Sequence, residues 1–411
     1  MGTETDADGE LRRAWHEFCD GLNVSGDALL TDAVLADRNE RAEAFRYLMQ
    51  SLALGFLFHV ENQMPEHPYL LPYFTPDRKQ AGDNADALIL GAFIDGSETY
   101  RIAGSRGTST WLAFTVLRPT RPDEPRHPMG APYNFVLDAP PLLPPDLTVD
   151  GDGHVEVVLS PEPQVGNWIP TTPETRHVRI REFFGDWAQE EPSRLRIERV
   201  GAPVAPPPLY TPERWTAALE EVGRFTRAAT EFWPQLVYGD PVNQMRPRPN
   251  IGMSPGESWN GKVDANPGGV NASCHWRVAP DEALVIEWTP TPAFHWLVEV
   301  DNVWAATVDY RWRMANLNAK QAAYEPDGSV RMVLSHVDPG VPNWLDLSGW
   351  SEGFVNMRML LSTEVPEFRT RLVKIADLAA LLPADAVRTD DEGRRRQLRQ
   401  RQAGVYARFG V

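Results

Sequence analysis

The stretch DGHVEVVLS at residues 152–160 recurs as DGSVRMVLS at 327–335, 175 positions downstream. In both copies an Asp-Gly pair precedes a run of β-branched and aliphatic residues, which is typical of a strand entered from a tight turn. Asn167-Trp168 then corresponds to Asn343-Trp344, after one inserted residue. The Pro and Asn residues of this corner are expected to stiffen a turn that directs the chain into its next strand. Because the period exceeds those of solenoids, the pattern predicts two copies of one domain.

Short strand patterns dominate the chain, and helical patterns flank and separate them. Alternating runs bounded by Gly, Pro and Asp predict strands, whereas apolar residues at three- and four-residue spacing predict helices. The expected fold is mainly β with flanking helices (α+β), built from two tandem jelly-roll-like β-sandwiches. The predicted parts are a helical N-terminal segment at 1–62, a first β-sandwich at 63–208, a linker helix at 209–238, a long loop and second β-sandwich at 239–364, and C-terminal helices at 365–411.

Composition limits the class of protein. The 411 residues are 42% apolar and carry a net charge of −17, which argues against binding to nucleic acid or to anionic membranes. No apolar run reaches the ~18 residues of a membrane span, and the acidic start MGTETDADGE does not fit a secretory signal. Two distant cysteines, Cys19 and Cys274, are expected to be reduced thiols. The sequence therefore favours a cytoplasmic protein with an apolar or neutral small-molecule partner, and leaves homo-oligomerisation open.

A basic run, GRRRQLRQRQ, lies within the predicted C-terminal helices. Such a run on a helix is typical of a solvated face. We therefore expect its arginines to be exposed rather than to form a binding patch.

Two stretches carry a resemblance to a known family. They are GNWIPTTPETRHVRIREFF in the first copy and, in the second, ALVIEWTPTPAFHWLVEVDNVWAATVDYRWRMANLNAKQAAYEPDG through DPGVPNWLDLSGWSEG. Both are similar to the domain of unknown function 1214 family, which often follows a companion domain numbered 1254, and an upstream part like that companion is expected here. The resemblance covers residues 85–205 and 275–362. It implies a jelly-roll β-sandwich for each copy and little about chemistry.

Strand alternation predicts an aromatic inner face in the second copy. In VWAATVDYRWR (303–313), Trp304, Tyr310 and Trp312 fall on one side of an extended chain, and charged residues fall on the other. An aromatic face of this kind is expected to point into the sandwich. Trp304 and Trp312 are therefore predicted substrate contacts, with Tyr310 beside them.

The same alternation in VRMVLSHVD places His336, and Asp338 beyond it, on the continuation of the inner face. The first copy has Pro161 and Pro163 at the corresponding positions, and proline side chains cannot exchange protons. The predicted catalytic group is therefore His336 oriented by Asp338, with Tyr310 as a second acid or hydrogen-bond donor. The alternative is structural, with His336 bonded to the corner and Tyr310 in the core.

A long loop is the other expected contributor to ligand binding. Residues 240–271 are rich in Pro, Gly and Asn and have no period, which is typical of lids and binding loops and also of plain tethers. Trp259 in this loop, with Asn343 and Trp344 of the corner, completes the predicted substrate contacts.

These residues predict a cofactor-independent acid/base enzyme of the lyase, hydratase or hydrolase type, acting on a largely apolar oxygenated molecule such as a terpenoid or steroid. No organic cofactor is expected, because phosphate-cradling loops and dinucleotide fingerprints are lacking. No metal is expected, because the histidines are far apart in sequence. Two alternatives stay open: a structural or assembly protein, and a carbohydrate-binding jelly roll, for which 14 tryptophans could supply stacking faces.

Overall fold

The computed structural model describes residues 4–30, 38–80, 82–124, 126, 134–202, 205–234, 249–250, 254–255, 269–383 and 386–411. The α-helices within these ranges are α1 (Glu4–Ala28), α2 (Arg38–Phe56), α3 (Pro212–Pro234), α4 (Ile375–Leu381) and α5 (Asp391–Phe409). A π-helical turn, Leu57–Glu61, continues α2. Asp390 caps α5 by accepting a hydrogen bond from Gly393 N at 2.7 Å, as helix N-caps do.

The first copy is a sandwich of two sheets. Its strands are β1 (Leu71–Pro72), β2 (Ala87–Phe93), β3 (Tyr100–Ser105), β4 (Trp111–Pro119), β5 (Phe135–Leu137), β6 (His154–Ser160), β7 (Asn167–Pro170), β8 (His177–Phe183) and β9 (Arg194–Arg199). They form the sheets β1-β2-β8-β4-β5 and β7-β6-β3-β9. Ile102 and Val157 of one sheet belong to the same buried cluster as Phe114 and Ile180 of the other, so alternate residues of each strand form the core.

The second copy repeats this arrangement. Its strands are β10 (Ser254–Pro255), β11 (Gly269–Arg277), β12 (Glu282–Trp288), β13 (His295–Asp301), β14 (Asn316–Asn318), β15 (Val330–Ser335), β16 (Trp344–Asp346), β17 (Glu352–Leu360) and β18 (Arg369–Lys374). They form the sheets β10-β11-β17-β13-β14 and β16-β15-β12-β18. The strand order matches that of the first copy position for position. The predicted fold class, two repeated β-sandwiches with flanking helices, is therefore confirmed.

The corner that ends the repeated sequence has the same structure in both copies. Trp168 pairs with Val158 between parallel strands, and Trp344 pairs with Val333 in the same way. The indole Nε1 of Trp168 donates to Ser160 O at 3.0 Å, and that of Trp344 donates to Ser335 O at 3.2 Å. The two Asn-Trp pairs are thus structurally equivalent, as predicted.

The corner asparagine explains why the turn is polar. Asn343 Nδ2 donates to Ala323 O at 2.7 Å and to Arg331 O at 3.0 Å, while its Oδ1 accepts from Ala323 N at 2.8 Å. Asn167 makes the corresponding three bonds in the first copy. One side chain therefore satisfies three backbone groups where the chain leaves the ladder.

The predicted boundary at residue 365 is wrong. Residues 365–411 were expected to form helices, but β18 pairs with β12 through six residues before α4 begins. This strand corresponds to β9 of the first copy at the same offset of 175, so a sandwich that stopped at 364 would lack one edge strand. The edge strand is largely exposed, so its apolar residues alternate only weakly and its sequence resembles the start of a helix.

The predicted strand at 303–313 is also wrong. These residues form turns between β13 and β14, with an isolated bridge between Asp301 and Thr307. Ala305 has a φ of 51°, a left-handed conformation that ends any extended chain at that point. The alternation that grouped Trp304, Tyr310 and Trp312 on one face therefore does not apply.

The linker helix packs with the N-terminal helices instead of spacing the two sandwiches. α1 and α2 both contact α3, and Gly55 of α2 lies so close to Phe225 of α3 that an added Cβ would be 3.0 Å from the ring. Tyr47 on another side of α2 stacks on Trp304 of the second sandwich, with ring centroids 5.3 Å apart. The three helices therefore form a layer attached to the sandwich pair.

Candidate functional site

The two sandwiches meet across the outer faces of one sheet from each. All seven residues of β13 are buried, although its two faces are chemically different. Trp296, Val298 and Val300 point into the second core. The opposite face carries His295, Leu297, Glu299 and Asp301, and Leu297 packs against side chains of the first sandwich such as Trp111 and Phe183. A strand with carboxyl groups on a fully buried face is unusual, because burial disfavours charge.

Glu299 is held by a cation and by the backbone of the first copy. Its Oε1 accepts a short hydrogen bond from Arg358 Nη1, and its Oε2 accepts from Ala85 N at 3.1 Å. Arg358 Nη2 also donates to Gly82 O at 2.6 Å. Burial raises the pKa of Glu299 to about 8, against the opposing effect of Arg358. This carboxyl group therefore titrates near neutral pH.

Asp301 lies two residues further along the same face and is fully buried. Its Oδ2 accepts a short hydrogen bond from Asn356 Nδ2, and Asn356 Oδ1 accepts from Ser273 Oγ at 2.6 Å. Its Oδ1 has no hydrogen-bond partner among the described residues. Burial, followed by the charges of Glu299 and Asp83, raises the pKa of Asp301 well above its usual value. Burial therefore favours the protonated form of this side chain, one oxygen of which has no hydrogen-bond partner among the described residues.

A lysine and an aspartate form the next part of the network. Lys79 Nζ donates to Thr307 O at 3.1 Å and lies 4.2 Å from the centre of the Tyr310 ring. Asp83 accepts from Thr307 N at 2.9 Å and from Thr307 Oγ1 at 2.7 Å. Burial lowers the pKa of Lys79 and raises that of Asp83, and each charge opposes the shift of the other. Lys79 and Asp83 thus connect the first copy to the loop after β13.

Asp86 is a buried carboxylate with a complete set of donors. Its Oδ1 accepts from Trp187 Nε1 and Asn316 Nδ2, both at 2.8 Å, and its Oδ2 accepts from Asn318 Nδ2 at 2.9 Å. His295 Nε2 lies 3.5 Å from the same oxygen. Neutral donors from both copies thus replace the water that a charged carboxylate would otherwise need.

Helix α5 supplies three buried arginines at seven-residue intervals. Arg394, Arg401 and Arg408 lie on one face, because seven residues are nearly two helical turns. Arg401 Nη1 donates to Asn316 Oδ1 at 2.6 Å, and Arg408 Nη1 donates to Ala85 O at 2.7 Å. Burial lowers the pKa of Arg401 to about 9 and that of Arg408 to about 10. The expectation of a wholly solvated basic run at 393–402 is therefore wrong at Arg394 and Arg401, and it holds for neighbours such as Arg399, which is exposed.

The predicted catalytic residues have separate partners. His336 Nε2 contacts Val278 O at 3.0 Å. The Asp338 carboxylate accepts two hydrogen bonds from Arg394, at 2.8 and 3.0 Å, so its strongest partner is a cation of α5. Tyr310 is buried beneath Lys79, and burial raises its pKa well above the usual value. No hydrogen bond joins these three side chains among the described residues, and their catalytic role stays a prediction.

The predicted substrate contacts differ in how exposed they are. Trp304 is fully buried against Tyr47, whereas Trp312 is 53% exposed. Asn343 and Trp344 are buried and form the structural corner described above. Trp259, like most of the 240–271 loop, lies outside the described residues.

Alternation within β13 could have indicated Glu299 and Asp301 from the sequence. In FHWLVEVD, polar residues occupy every second or fourth position of an otherwise apolar strand, which predicts a polar face on a buried strand.

Among the described residues, no cluster of three or more His, Cys, Asp or Glu side chains is arranged to hold a metal ion. Within the same ranges, no helix is long and apolar enough to span a bilayer.

Comparison with known proteins assigns the chain to a family. The model of a family described as a protein of unknown function (DUF1214) matches residues 89–183 and 257–364, one segment in each copy. A crystal structure of an uncharacterised protein from Burkholderia cenocepacia shares 30% sequence identity, covers 90% of this chain and 99% of its own, and superimposes with a TM-score of 0.81. The chain belongs to the DUF1214 family.

The DUF1214 segments leave out the helical layer and α5. The likeness of the upstream part to the companion domain 1254 stays a prediction. The VPA0106 protein from Vibrio parahaemolyticus is a more distant structural neighbour, with 12% identity, coverage of 83% of this chain and 100% of its own, and a TM-score of 0.40. Comparison with curated proteins gives no match.

Proposed function

We propose that this DUF1214 protein is a cofactor-independent acid/base enzyme, of the lyase, hydratase or hydrolase type, that acts on a largely apolar oxygenated small molecule such as a terpenoid or steroid. Glu299 and Asp301 are its proton-transfer groups. The observation that carries the proposal is Asp301 Oδ1, an oxygen of a fully buried carboxylic acid without a partner among the described residues.

The two carboxyl groups suit different roles. Burial raises the pKa of Asp301 and so favours its protonated form, which can donate a proton or hydrogen bond to a substrate oxygen. Glu299, with a pKa of about 8 and an Arg358 partner, can take up and release a proton near neutrality, which is the range in which general acid-base catalysis is most effective. Leu297 lies on the same face, packed against Trp111 and Phe183, and would contact the substrate skeleton only after the two copies separate there.

Substrate access requires one segment to move. Gly82 O and Ala85 N are bonded to Arg358 and Glu299, so residues 82–86 cover the carboxyl groups from the side of the first copy. In this proposal the segment separates from β13 when substrate enters, and its closure excludes water from the reaction.

The first test uses conservative variants and a panel of hydroxylated terpenoids and steroids. Asp301→Asn should lower turnover by about a hundredfold or more, the usual contribution of general acid catalysis, and Glu299→Gln should remove the pH dependence of turnover near pH 8. Glu287→Gln is the matched control, since Glu287 pairs with Arg331 in the other sheet. Full turnover in the Asp301→Asn variant would refute the assignment.

A second measurement needs no substrate. Infrared difference spectra of the protonated carboxyl C=O stretch should show a band at pH 7 that the Asp301→Asn variant lacks. If that band is the same in the wild type and the variant, Asp301 is ionised and cannot be the acid.

A structural or assembly role is the second candidate. The observation favouring it is that buried polar groups of the two copies bond one another: Ala85 N donates to Glu299, Thr307 N donates to Asp83, and Asn316 Nδ2 donates to Asp86. Such a network can hold the two copies together without taking part in a reaction. In that case Asp301→Asn would change the free energy of unfolding, and the ligand panel would show neither turnover nor thermal stabilisation.

We also propose that the protein is cytoplasmic. Cys19 and Cys274 form no disulfide among the described residues, and burial raises the pKa of Cys274 to about 11, which keeps it unreactive. Cell fractionation would test this location, and recovery of the protein outside the cytoplasm would exclude it.

A further inference from the structure

The helical layer contains a cleft that the carboxyl centre does not use. α1, α2 and α3 enclose about 650 Å³ between them, which is within the range of small-molecule sites. Apolar side chains make up most of its wall, among them Trp15, Met49, Phe56 and Trp215. Trp15 and Met49 are each about half exposed, and soluble proteins seldom leave several large apolar side chains exposed around one concavity without a ligand or partner.

Two charged residues interrupt this apolar wall, and they differ in their surroundings. Glu61 is exposed, so water satisfies its carboxylate. Arg78 is half-buried, and its Nη2 donates to Pro72 O at 2.9 Å. Its Nε is buried without a hydrogen-bond partner among the described residues. Burial lowers the pKa of Arg78, with Asp77 acting in the opposite direction.

A guanidinium in an apolar wall favours an anionic ligand group. A carboxylate that enters the cleft can accept charge-assisted hydrogen bonds from Arg78, and such bonds are stronger than neutral ones. A carboxylate alone would not use the rest of the cleft, whose apolar surface favours a hydrophobic body. The two requirements together describe one class of ligand.

We propose that the cleft between α1, α2 and α3 binds an amphipathic monocarboxylate of the fatty-acid or terpenoid-acid class, with its carboxylate on Arg78 and its apolar body against Trp15, Met49 and Phe56. The site is independent of Glu299 and Asp301, since none of its wall residues belongs to the carboxyl network. Binding is measured directly, so its failure and the failure of the enzymatic proposal are separate results.

The test measures binding of cis-parinaric acid, a fluorescent fatty acid, to the full chain. Energy transfer from Trp15 and Trp215 should report a bound probe, and oleate should displace it while methyl oleate, which lacks the charge, should compete much less well. Arg78→Gln should weaken parinarate binding roughly tenfold or more, as expected when a charge-assisted hydrogen bond is lost. Arg13→Gln, on the exposed face of α1, is the matched control and should bind as the wild type does.

Two further variants keep the proposal falsifiable. Ala53→Trp adds bulk at an exposed position in the wall and should abolish binding of the probe, while circular dichroism reports an intact fold. Glu61→Gln removes the other charge and should tighten binding of oleate without affecting methyl oleate. Equal affinities of the wild type and Arg78→Gln would overturn the assignment, as would absence of parinarate binding. A dimer that Ala53→Trp converts to a monomer would identify a second copy of the chain as the occupant and also overturn it.

Discussion

Replacing Arg401 by alanine should destabilise the protein by about 3–5 kcal/mol, because two buried hydrogen bonds from a charged donor, worth about 1.5–3 kcal/mol each, would be lost. Arg401 is only 3% exposed, and it lies over the Trp187 ring at 4.9 Å as well as contacting β14. Its Nη1 and Nη2 donate to the side-chain and backbone oxygens of Asn316, and its Nε is 3.3 Å from Met314 Sδ. Alanine would leave those oxygens without their donors inside the protein.

The magnitude follows from two opposing contributions. Each hydrogen bond to a charged donor contributes about 1.5–3 kcal/mol, and a buried acceptor left without one adds a desolvation cost of similar size. Against this, burial of the guanidinium itself is unfavourable, as the fall of its pKa to about 9 indicates. Arg401→Lys keeps a charge but loses the planar fork that reaches both Asn316 oxygens, so its loss should be intermediate.

The assay is urea unfolding at pH 7 followed by circular dichroism and by tryptophan fluorescence. Arg399→Ala is the control in the same helix, since Arg399 is 61% exposed and pairs only with Glu392 on the surface; its midpoint should stay at the wild-type value. If Arg401→Ala unfolds at the same urea concentration as Arg399→Ala, the network around Asn316 does not hold α5 to the sandwiches, and the reasoning is refuted.

Two other outcomes can be checked with the same equipment. Asn343→Ala should lower the free energy of unfolding by about 1–3 kcal/mol, because it leaves three backbone groups unsatisfied. Asn167→Ala should lower it less, because the same three bonds lie at a half-buried site where water can replace them. The reverse order of urea midpoints would contradict this comparison. Glu299 and Glu352 should affect the pH dependence of the free energy of unfolding in opposite directions. Glu299, with a folded pKa of about 8 against 4.5, contributes stability below pH 4.5 that is lost as pH rises through 8, so Glu299→Gln should flatten that fall. Burial raises the pKa of Glu352, but hydrogen bonds from His275 and Arg277 outweigh burial and hold it at about 2; it therefore contributes stability above pH 4.5 that is lost as pH falls through 2, and Glu352→Gln should weaken the protein on the neutral side only.

The duplicated sandwich was predictable because its evidence is local and repeated. An Asp-Gly turn, a strand and an Asn-Trp corner occur twice at nearly one offset, and each carries its own structural reason. Strand β18 could have been found by extending the same offset from β9, which places RTRLVK opposite RLRIER. The turn at Ala305 has no comparable signal, because a left-handed alanine depends on the contacts of its neighbours.

The carboxyl network was harder to predict because its partners are remote in sequence. Glu299 is bonded to Ala85, 214 positions earlier, and Arg408 to the same residue, 323 positions earlier. Alternation along one strand indicates that Glu299 shares a face with Asp301, but only the packing of the two sandwiches shows that this face is buried. His336 and Tyr310 were grouped by assuming an extended chain through 303–313, which the turns of that loop do not allow.

The distance in sequence between α5 and its contacts also has a consequence for synthesis on the ribosome. Chains elongate at about 5–20 residues per second, so Arg408 is added roughly 16–65 s after the Ala85 carbonyl that it binds. The first sandwich, which ends at β9, can leave the ribosome and fold during that interval, with the Trp187 ring still lacking Arg408. The nascent protein therefore passes through a stage in which its first half is formed but not yet joined to α5, and its elongation rate sets how long a chaperone or protease can reach the polar face of that half.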